Sequence, residues 1–185
     1  MNVRTVDPLP RIGQRIALRR LGLADLKNFQ AYRSDPDVSR YQSWSPMSTA
    51  DATAFIEEMS TAAFGTTGEW FQLGIADRST DRLIGDIGVC IRDLQDKHAE
   101  LGFTLAADSQ GQGLGSEAVL LAVAMLFQSL DITRVVAITD TRNHATVRLL
   151  QRVGMRLNVT LDSGVQHEPR LEHVFEICRQ DSDSQ

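Results

Sequence analysis

The sequence predicts an α/β fold, one domain over residues 1–185 with a mixed, mostly antiparallel sheet flanked by helices. Three observations carry that expectation. Successive segments Trp70 to Ala76, Leu83 to Ile91 and Ala99 to Leu105 have strand composition and are separated by polar turn clusters, as in an antiparallel meander. A nearly all-apolar stretch from about Leu114 to Leu130 then leads into the β-branched run Val135 to Thr139, a connection long enough for a right-handed parallel crossover. Finally, 185 residues with 42% hydrophobic content can bury a sizeable core, and neither a repeat nor a linker divides them.

Ahead of the meander, Ile16 and Leu18 alternate with arginines as a first strand, and Leu23, Leu26, Phe29 and Tyr32 fall close to helical spacing. Asp35-Pro36-Asp37 breaks that helix. Ser48 with Asp51 three residues on resembles a capping box and predicts a second helix running to about Ala63. Between the two lies the aromatic loop Tyr41-Gln42-Ser43-Trp44-Ser45-Pro46, which reads either as one wall of a binding pocket or as packing for the front helices. The long apolar helix is hydrophobic all round and is expected to be buried on one face of the sheet. Asn143 reads as the N-cap of a short helix to Val153, closed by Gly154, and two strands follow, roughly Arg156 to Leu161 and Leu171 to Cys178. The termini, about 1–11 and 181–185, are expected to be short and flexible.

Composition narrows the partners. A net charge of −5 and a pI near 5.3 lack the surplus of Lys and Arg that nucleic acid requires, so none is expected. No apolar run approaches the roughly 20 residues of a membrane span, and Met1 to Arg11 has two prolines and no apolar stretch, so neither a membrane partner nor a signal peptide is expected. Cys90 and Cys178 lie far apart in apolar stretches and read as reduced thiols of a cytoplasmic protein. The histidines, His98, His144, His167 and His173, show no metal-ligand spacing, and no metal site is expected.

The segment Gln110-Gly111-Gln112-Gly113-Leu114-Gly115-Ser116 follows a strand and opens a helix. Its glycines leave N–H groups unobstructed at the positive end of the helix dipole, which suits a pyrophosphate, although a purely structural turn has the same composition. The dinucleotide pattern G-x-G-x-x-G fails at Ser116, and the nucleotide triphosphate loop fails because no Gly-Lys-Ser/Thr follows. Read as Gln110-x-x-Gly113-x-Gly115, the spacing matches Q/R-x-x-G-x-G/A, and here the chain resembles the GNAT superfamily of acyltransferases. Ala99-Glu100-Leu101-Gly102-Phe103-Thr104-Leu105 looks like the family's strand before the loop. The run from Asp140 through Arg142-Asn143, Thr146 and Arg148-Leu149-Leu150 to Gly154-Met155 is similar to its D-x-R-N-x-x-S-x-R-L-L-x-x-x-G-F block. Farther forward, Arg15 to Arg20, Ser34-Asp35-Pro36-Asp37-Val38 and Leu83-Ile84-Gly85-Asp86-Ile87-Gly88 resemble the RimJ/RimL-like branch, which includes acetyltransferases of ribosomal-protein N-termini.

The resemblance implies an acetyl-coenzyme A-dependent N-acetyltransferase whose two central parallel strands splay apart. Phe103, Thr104 and Leu105 would pair with the cofactor's pantetheine arm, an N–H near Leu105 would polarise the thioester carbonyl, and Asn143 would contact the arm. Gln110, Gly111, Gln112, Gly113, Leu114, Gly115 and Ser116 would hold the pyrophosphate. Glu100 is the first candidate to accept the amine proton and Glu172 the second; both also read as ordinary strand-face carboxylates. Leu150 stands in the slot where many members carry a tyrosine acid, and Thr146, on the same helical face as Asn143, is a candidate to orient a water. The expected acceptor is a protein or peptide N-terminal α-amine, with a small-molecule amine as the alternative and a non-catalytic coenzyme A-binding module as a third reading. A homodimer is left open.

Overall fold

The computed structural model describes residues 7–42, 44–93, 97–164 and 170–179. Its strands are β1 (Arg11–Ile12), β2 (Ile16–Arg20), β3 (Trp70–Asp77), β4 (Leu83–Asp93), β5 (His98–Leu105), β6 (Arg134–Asp140), β7 (Arg156–Asp162) and β8 (Leu171–Cys178). Helices are α1 (Leu26–Arg33), α2 (Pro36–Ser39), α3 (Thr49–Thr61), α4 (Leu114–Ser129) and α5 (His144–Arg152). The strands form one open sheet in the order β1-β2-β3-β4-β5-β6-β8-β7. The meander β3-β4-β5 is antiparallel, and β5 and β6 form the parallel pair that the crossover through α4 requires.

Local chemistry explains the boundaries. The first predicted helix opens as a 3-10 turn at Leu23–Asp25, whose Asp25 carboxylate accepts the Gly22 N–H at 2.9 Å. Pro36 ends one helix and starts another, since it stands at the first position of α2 while the Asp35 carboxylate accepts the Asp37 N–H at 2.9 Å. Ser48 caps α3 by accepting the Asp51 N–H at 3.2 Å, but the Asp51 carboxylate takes the Ser48 hydroxyl (2.7 Å), so the box is only half made. Asn143 caps α5 through the Thr146 N–H at 3.2 Å, and Gly154 follows in the left-handed region at φ 86°. At the front end, Arg11–Ile12 pairs with β2; residues 1–6 and the tail Asp181 to Gln185 lie outside the described residues.

Side-chain alternation sorts the two faces of the sheet. On one face α4 packs Val119, Ala122, Val123 and Leu126 against Ile16, Ile75, Ile87 and Leu101, each full burial contributing about 1.5–3 kcal/mol. A second cluster joins Phe29 and Tyr32 of α1 and Ile56 and Met59 of α3 to Leu21 and Leu83. The all-round burial expected of α4 is incomplete: Leu120 is 44% exposed, because only one side of the helix meets the sheet.

Candidate active site

The parallel pairing of β5 and β6 runs from His98↔Arg134 to Leu101↔Ala137 and goes no further. Beyond it, β5 stays with β4 as far as Gly85↔Leu105, while β6 follows β8 through Ile138↔Val174 to Asp140↔Glu172. The two strands therefore diverge at the centre of the sheet. Ala106 N–H donates to the Ile84 carbonyl on β4 at 2.9 Å, so alternation turns the N–H and C=O groups of Phe103 and Leu105 toward the gap. Their carbonyls take side-chain amides there: Gln42 Nε2 donates to Phe103 (3.4 Å) and Gln110 Nε2 to Leu105 (2.9 Å).

A cleft of about 380 Å³ opens from this gap along the glycine-rich loop and the N-terminus of α4. Phe103, Thr104 and Leu105 form its floor, Gln110, Gly111, Gly113, Leu114, Gly115 and Ser116 one wall, and Asn143, Thr146, Arg148 and Arg152 the other. Gly111 and Gly113 sit at φ 72° and 80°, where a side chain would be strained, and nothing lies within 4 Å of where a Gly111 side chain would begin. Gly115 has another reason to be glycine. A Cβ there would meet Leu149 Cδ1 at 2.8 Å and Leu105 Cδ1 at 3.2 Å, so its smallness brings α4 against α5 and β5.

The loop is braced from behind. Glu117, in the first turn of α4, accepts the Arg15 N–H at 2.8 Å and the Arg15 guanidinium at 3.2 Å, and a second guanidinium nitrogen of Arg15 donates to the Gln112 carbonyl at 2.8 Å. Burial opposes the charge on Glu117, but the N–H groups of Arg15 and Ile16 and the Arg15 side chain outweigh it and hold the carboxyl below the usual carboxylate range.

A second cleft, about 290 Å³, meets the first across the gap: Tyr41, Gln42, Phe103, Asn143 and Thr146 line both. Its own walls bring together Glu100, Glu172, Asp140, Leu150 and Trp70. Each of its carboxylates has an arginine. Arg92 reaches Glu100 Oε2 at 2.7 Å, Arg170 reaches Glu172 at 3.2 Å, and Arg142 reaches Asp140 at 2.7 Å. The Arg142 side-chain hydrogen bond, working against burial, holds the Asp140 carboxyl down to about 2.

Comparison with known proteins decides the family. The profile described as an acetyltransferase (GNAT) domain matches residues 15–156. The chain belongs to the GNAT acetyltransferase family. It is 27% identical to an uncharacterized N-acetyltransferase, p20, of Bacillus licheniformis over 166 residues, 88% of this chain and 90% of that one. Its fold superposes on a GNAT acetyltransferase from Bacillus anthracis with TM-score 0.80 at 19% identity, covering 93% of this chain and 99% of the other. It also superposes on a spermidine N-acetyltransferase from Vibrio cholerae, solved with CoA and spermine, with TM-score 0.77 at 16% identity, covering 92% and 99%. This GNAT protein is an acetyl-CoA-dependent N-acetyltransferase, acting on an amine acceptor.

Against that identity, most of the sequence-predicted GNAT residues gather in the two clefts. Gln112 does not line either cleft: its side chain donates to the Asp108 carbonyl at 2.8 Å and its carbonyl takes Arg15, so it serves the loop's own fold. Gln110 lines the first cleft but spends its amide on Leu105, bracing the strand end. The aromatic loop divides between its two readings, since Tyr41 lines both clefts whereas Trp44 stacks on Arg33 of α1 at 4.3 Å. Sequence reasoning missed Gln42, Arg15 and Glu117, whose partners are far away in sequence and leave no local signal. It also gave no role to Arg148 and Arg152, four residues apart and therefore on one face of the same helix. Among the described residues no group of three or more His, Cys, Asp or Glu could hold a metal, and no helix is long and apolar enough to cross a membrane.

Proposed function

We propose that the chain acetylates the N-terminal α-amine of a protein or peptide, with the cofactor in the glycine-loop cleft and the acceptor in the cleft of Glu100 and Glu172. The observation that carries this reading is the gap between β5 and β6, where backbone groups of Phe103 and Leu105 face the only lining shared by the two clefts among the described residues. The residues fit the cofactor: Gly111 leaves open space beside the N-terminus of α4, Gly113 caps that helix with a left-handed backbone, and the splayed edge suits a ligand bearing amides.

Bound acetyl-coenzyme A supplies the acyl group as an activated thioester. Phe103 and Leu105 would hold the pantetheine arm along β5, with Thr104, whose backbone turns to β4, lining the cleft between them; Asn143 would contact the arm from the start of α5, and the Leu105 N–H would polarise the acyl carbonyl. Gln110 to Ser116 receive the pyrophosphate, with Gln110 and Gln112 acting through the loop's shape. Glu100 accepts the amine proton directly or through water; Glu172 stands second, and Thr146 orients a water at the junction of the clefts. Leu150 occupies the position of the family's tyrosine acid and is fully buried, so the thiol leaves as thiolate, at a cost of roughly 2 kcal/mol at pH 7.

The choice of acceptor rests on charge. All three carboxylates of the acceptor cleft are already matched by arginines, which leaves little net negative charge for a polycation. An α-amine needs only about 1 kcal/mol to lose its proton at pH 7, against roughly 5 for a lysine-like amine, and so asks least of a carboxylate already in an ion pair. The RimJ/RimL-like front half supports the same acceptor. The two free cysteines, Cys90 and Cys178, suit a cytoplasmic enzyme. The test is an acceptor screen with acetyl-coenzyme A that reads free thiol: release with peptides and none with polyamines, aminoglycosides or amino acids is expected. The reverse pattern assigns a small-molecule acceptor, and cofactor binding without release across the panel makes the chain a binding module.

A further inference from the structure

Glu100 and its arginine meet at an irregularity in the sheet. Between β4 and β5, Ile91 pairs with Ala99 and Asp93 with His98, so Arg92 is an extra residue in the register. Such a bulge bends the strand and re-aims the side chain it carries. Here the Arg92 guanidinium reaches back to Glu100, and its Nε and Nη2 both lie 2.7 Å from the same carboxylate oxygen, Oε2.

Trp70 steadies the arginine from the other side. It pairs with Cys90, which pairs in turn with Glu100, so the three stand in one row across β3, β4 and β5 and share a sheet face. The Arg92 guanidinium lies 5.4 Å from the centroid of the Trp70 ring. Gly88 makes room for that ring, since a Cβ there would meet Trp70 Cε3 at 3.0 Å. Trp70 and Glu100 both line the acceptor cleft. An ion pair built for strength alone sets one guanidinium nitrogen on each carboxylate oxygen. This pair sets both on Oε2, and among the described residues Oε1 accepts no hydrogen bond. Glu100 thus keeps one oxygen free while the other is clamped.

We propose that Arg92 is a positioning residue for the proton transfer: it fixes Glu100 through Oε2, so that Oε1 takes the proton of the attacking amine. The inference rests on the reading of Glu100 as the base. The amine nitrogen forms the new C–N bond as its proton passes to Oε1, and the electron pair of the broken C–S bond leaves on sulfur. Arg92 touches none of the reacting atoms and stays charged throughout. The test compares the wild type, Arg92→Met, Arg92→Lys, Glu100→Gln and Arg92→Met/Glu100→Gln. Turnover is read by thiol release, with the acceptor that reacts fastest in the panel of peptides, polyamines, aminoglycosides and amino acids, and coenzyme A affinity by calorimetry. Arg92→Met should lower kcat about 10- to 100-fold, the scale of a misplaced catalytic group, and leave coenzyme A affinity within about twofold. In the Glu100→Gln background the same change should cost less than about threefold. Its deficit should also shrink as pH nears the acceptor's own pKa, and Arg92→Lys, which keeps the charge, should recover part of the lost turnover. Equal losses in both backgrounds, or a deficit constant with pH, would overturn positioning through Glu100, as would an Arg92→Met enzyme as fast as the wild type. Unchanged turnover in Glu100→Gln would overturn the base reading and the inference with it, and so would a panel in which no acceptor releases thiol.

Discussion

Glu100 lies on β5 opposite Cys90, and Arg92, one strand over, holds its Oε2 at 2.7 Å. If Glu100 accepts the amine proton, Glu100→Gln should keep coenzyme A affinity and lower turnover by roughly 10²- to 10⁴-fold at neutral pH. The deficit should shrink as pH nears the acceptor's own pKa, below about pH 8 for an α-amine and only near 10 for a lysine. A pH–rate profile of the variant measures both; a deficit constant with pH would make Glu100 a positioning residue and pass the proton to Glu172 or to water. Asp140 has a different part. Its carboxyl is depressed to about 2 chiefly by Arg142, so the stability it contributes is complete above about pH 4 and lost as pH falls through 2. Arg142 is mostly exposed, which limits the effect to about 1–2 kcal/mol. Urea midpoints between pH 2 and 5 should therefore fall less steeply in Asp140→Asn than in the wild type. The sequence marked both acids; Arg142 stands two residues from Asp140 in the same run, whereas Arg92 reaches Glu100 only through the β4–β5 register.

At the scale of elements, the glycine loop and α4 separate two roles that the motif compresses. Gly113 has a left-handed backbone and a place on the cleft wall, so Gly113→Asp sets both strain and, on the proposed reading, a carboxylate where the pyrophosphate would be received. Coenzyme A binding by calorimetry should vanish in a folded variant, and retained affinity would defeat the loop assignment. Gly115 is a packing residue. A Cβ 2.8 Å from Leu149 must push α5 or rotate its side chain, so Gly115→Ala should cost about 1–3 kcal/mol in urea unfolding. Gln110 and Gln112 were expected on the ligand from their place in the motif. Their amides instead satisfy the carbonyls of Leu105 and Asp108, an outcome that depends on where the strand end and the turn lie in space.

Across the whole molecule, a buried polar network ties the front helices to the sheet. Asp86 on β4, 1% exposed, receives Arg33 at 3.1 Å, the Tyr32 hydroxyl at 2.5 Å and Gln72 at 2.6 Å, while Arg33 lies over Phe29 and Trp44. Burial and then the Asp86 charge push the Tyr32 phenol well above its usual range, so it stays a donor. Removing one partner leaves an uncompensated buried charge, and Asp86→Ala should lose about 3–5 kcal/mol of unfolding free energy. An Arg33→Met/Asp86→Leu pair should recover most of that loss. Denaturation of the wild type, Arg33→Met, Asp86→Leu and the pair, compared as a double-mutant cycle, measures the coupling, and equal losses in the single and double variants would refute it.

Local chemistry determined a great deal of this protein. The 2.0 and 3.6 periodicities, the caps at Ser48 and Asn143 and the terminator Gly154 act between near neighbours, so the meander, α4 and α5 are all legible in the amino-acid order. The glycines of the Gln110–Ser116 turn likewise announce a left-handed backbone, and Gly111 and Gly113 stand at positive φ. Tertiary structure alone decided that β8 inserts between β6 and β7, that Arg92 of β4 comes to hold Glu100 of β5, and that Arg15 and Glu117 hold the loop from over 100 residues apart in sequence. Those contacts join segments that meet only when the sheet is complete. A charge's partner is set by distance in space, and distance in space is not written in any local run of residues.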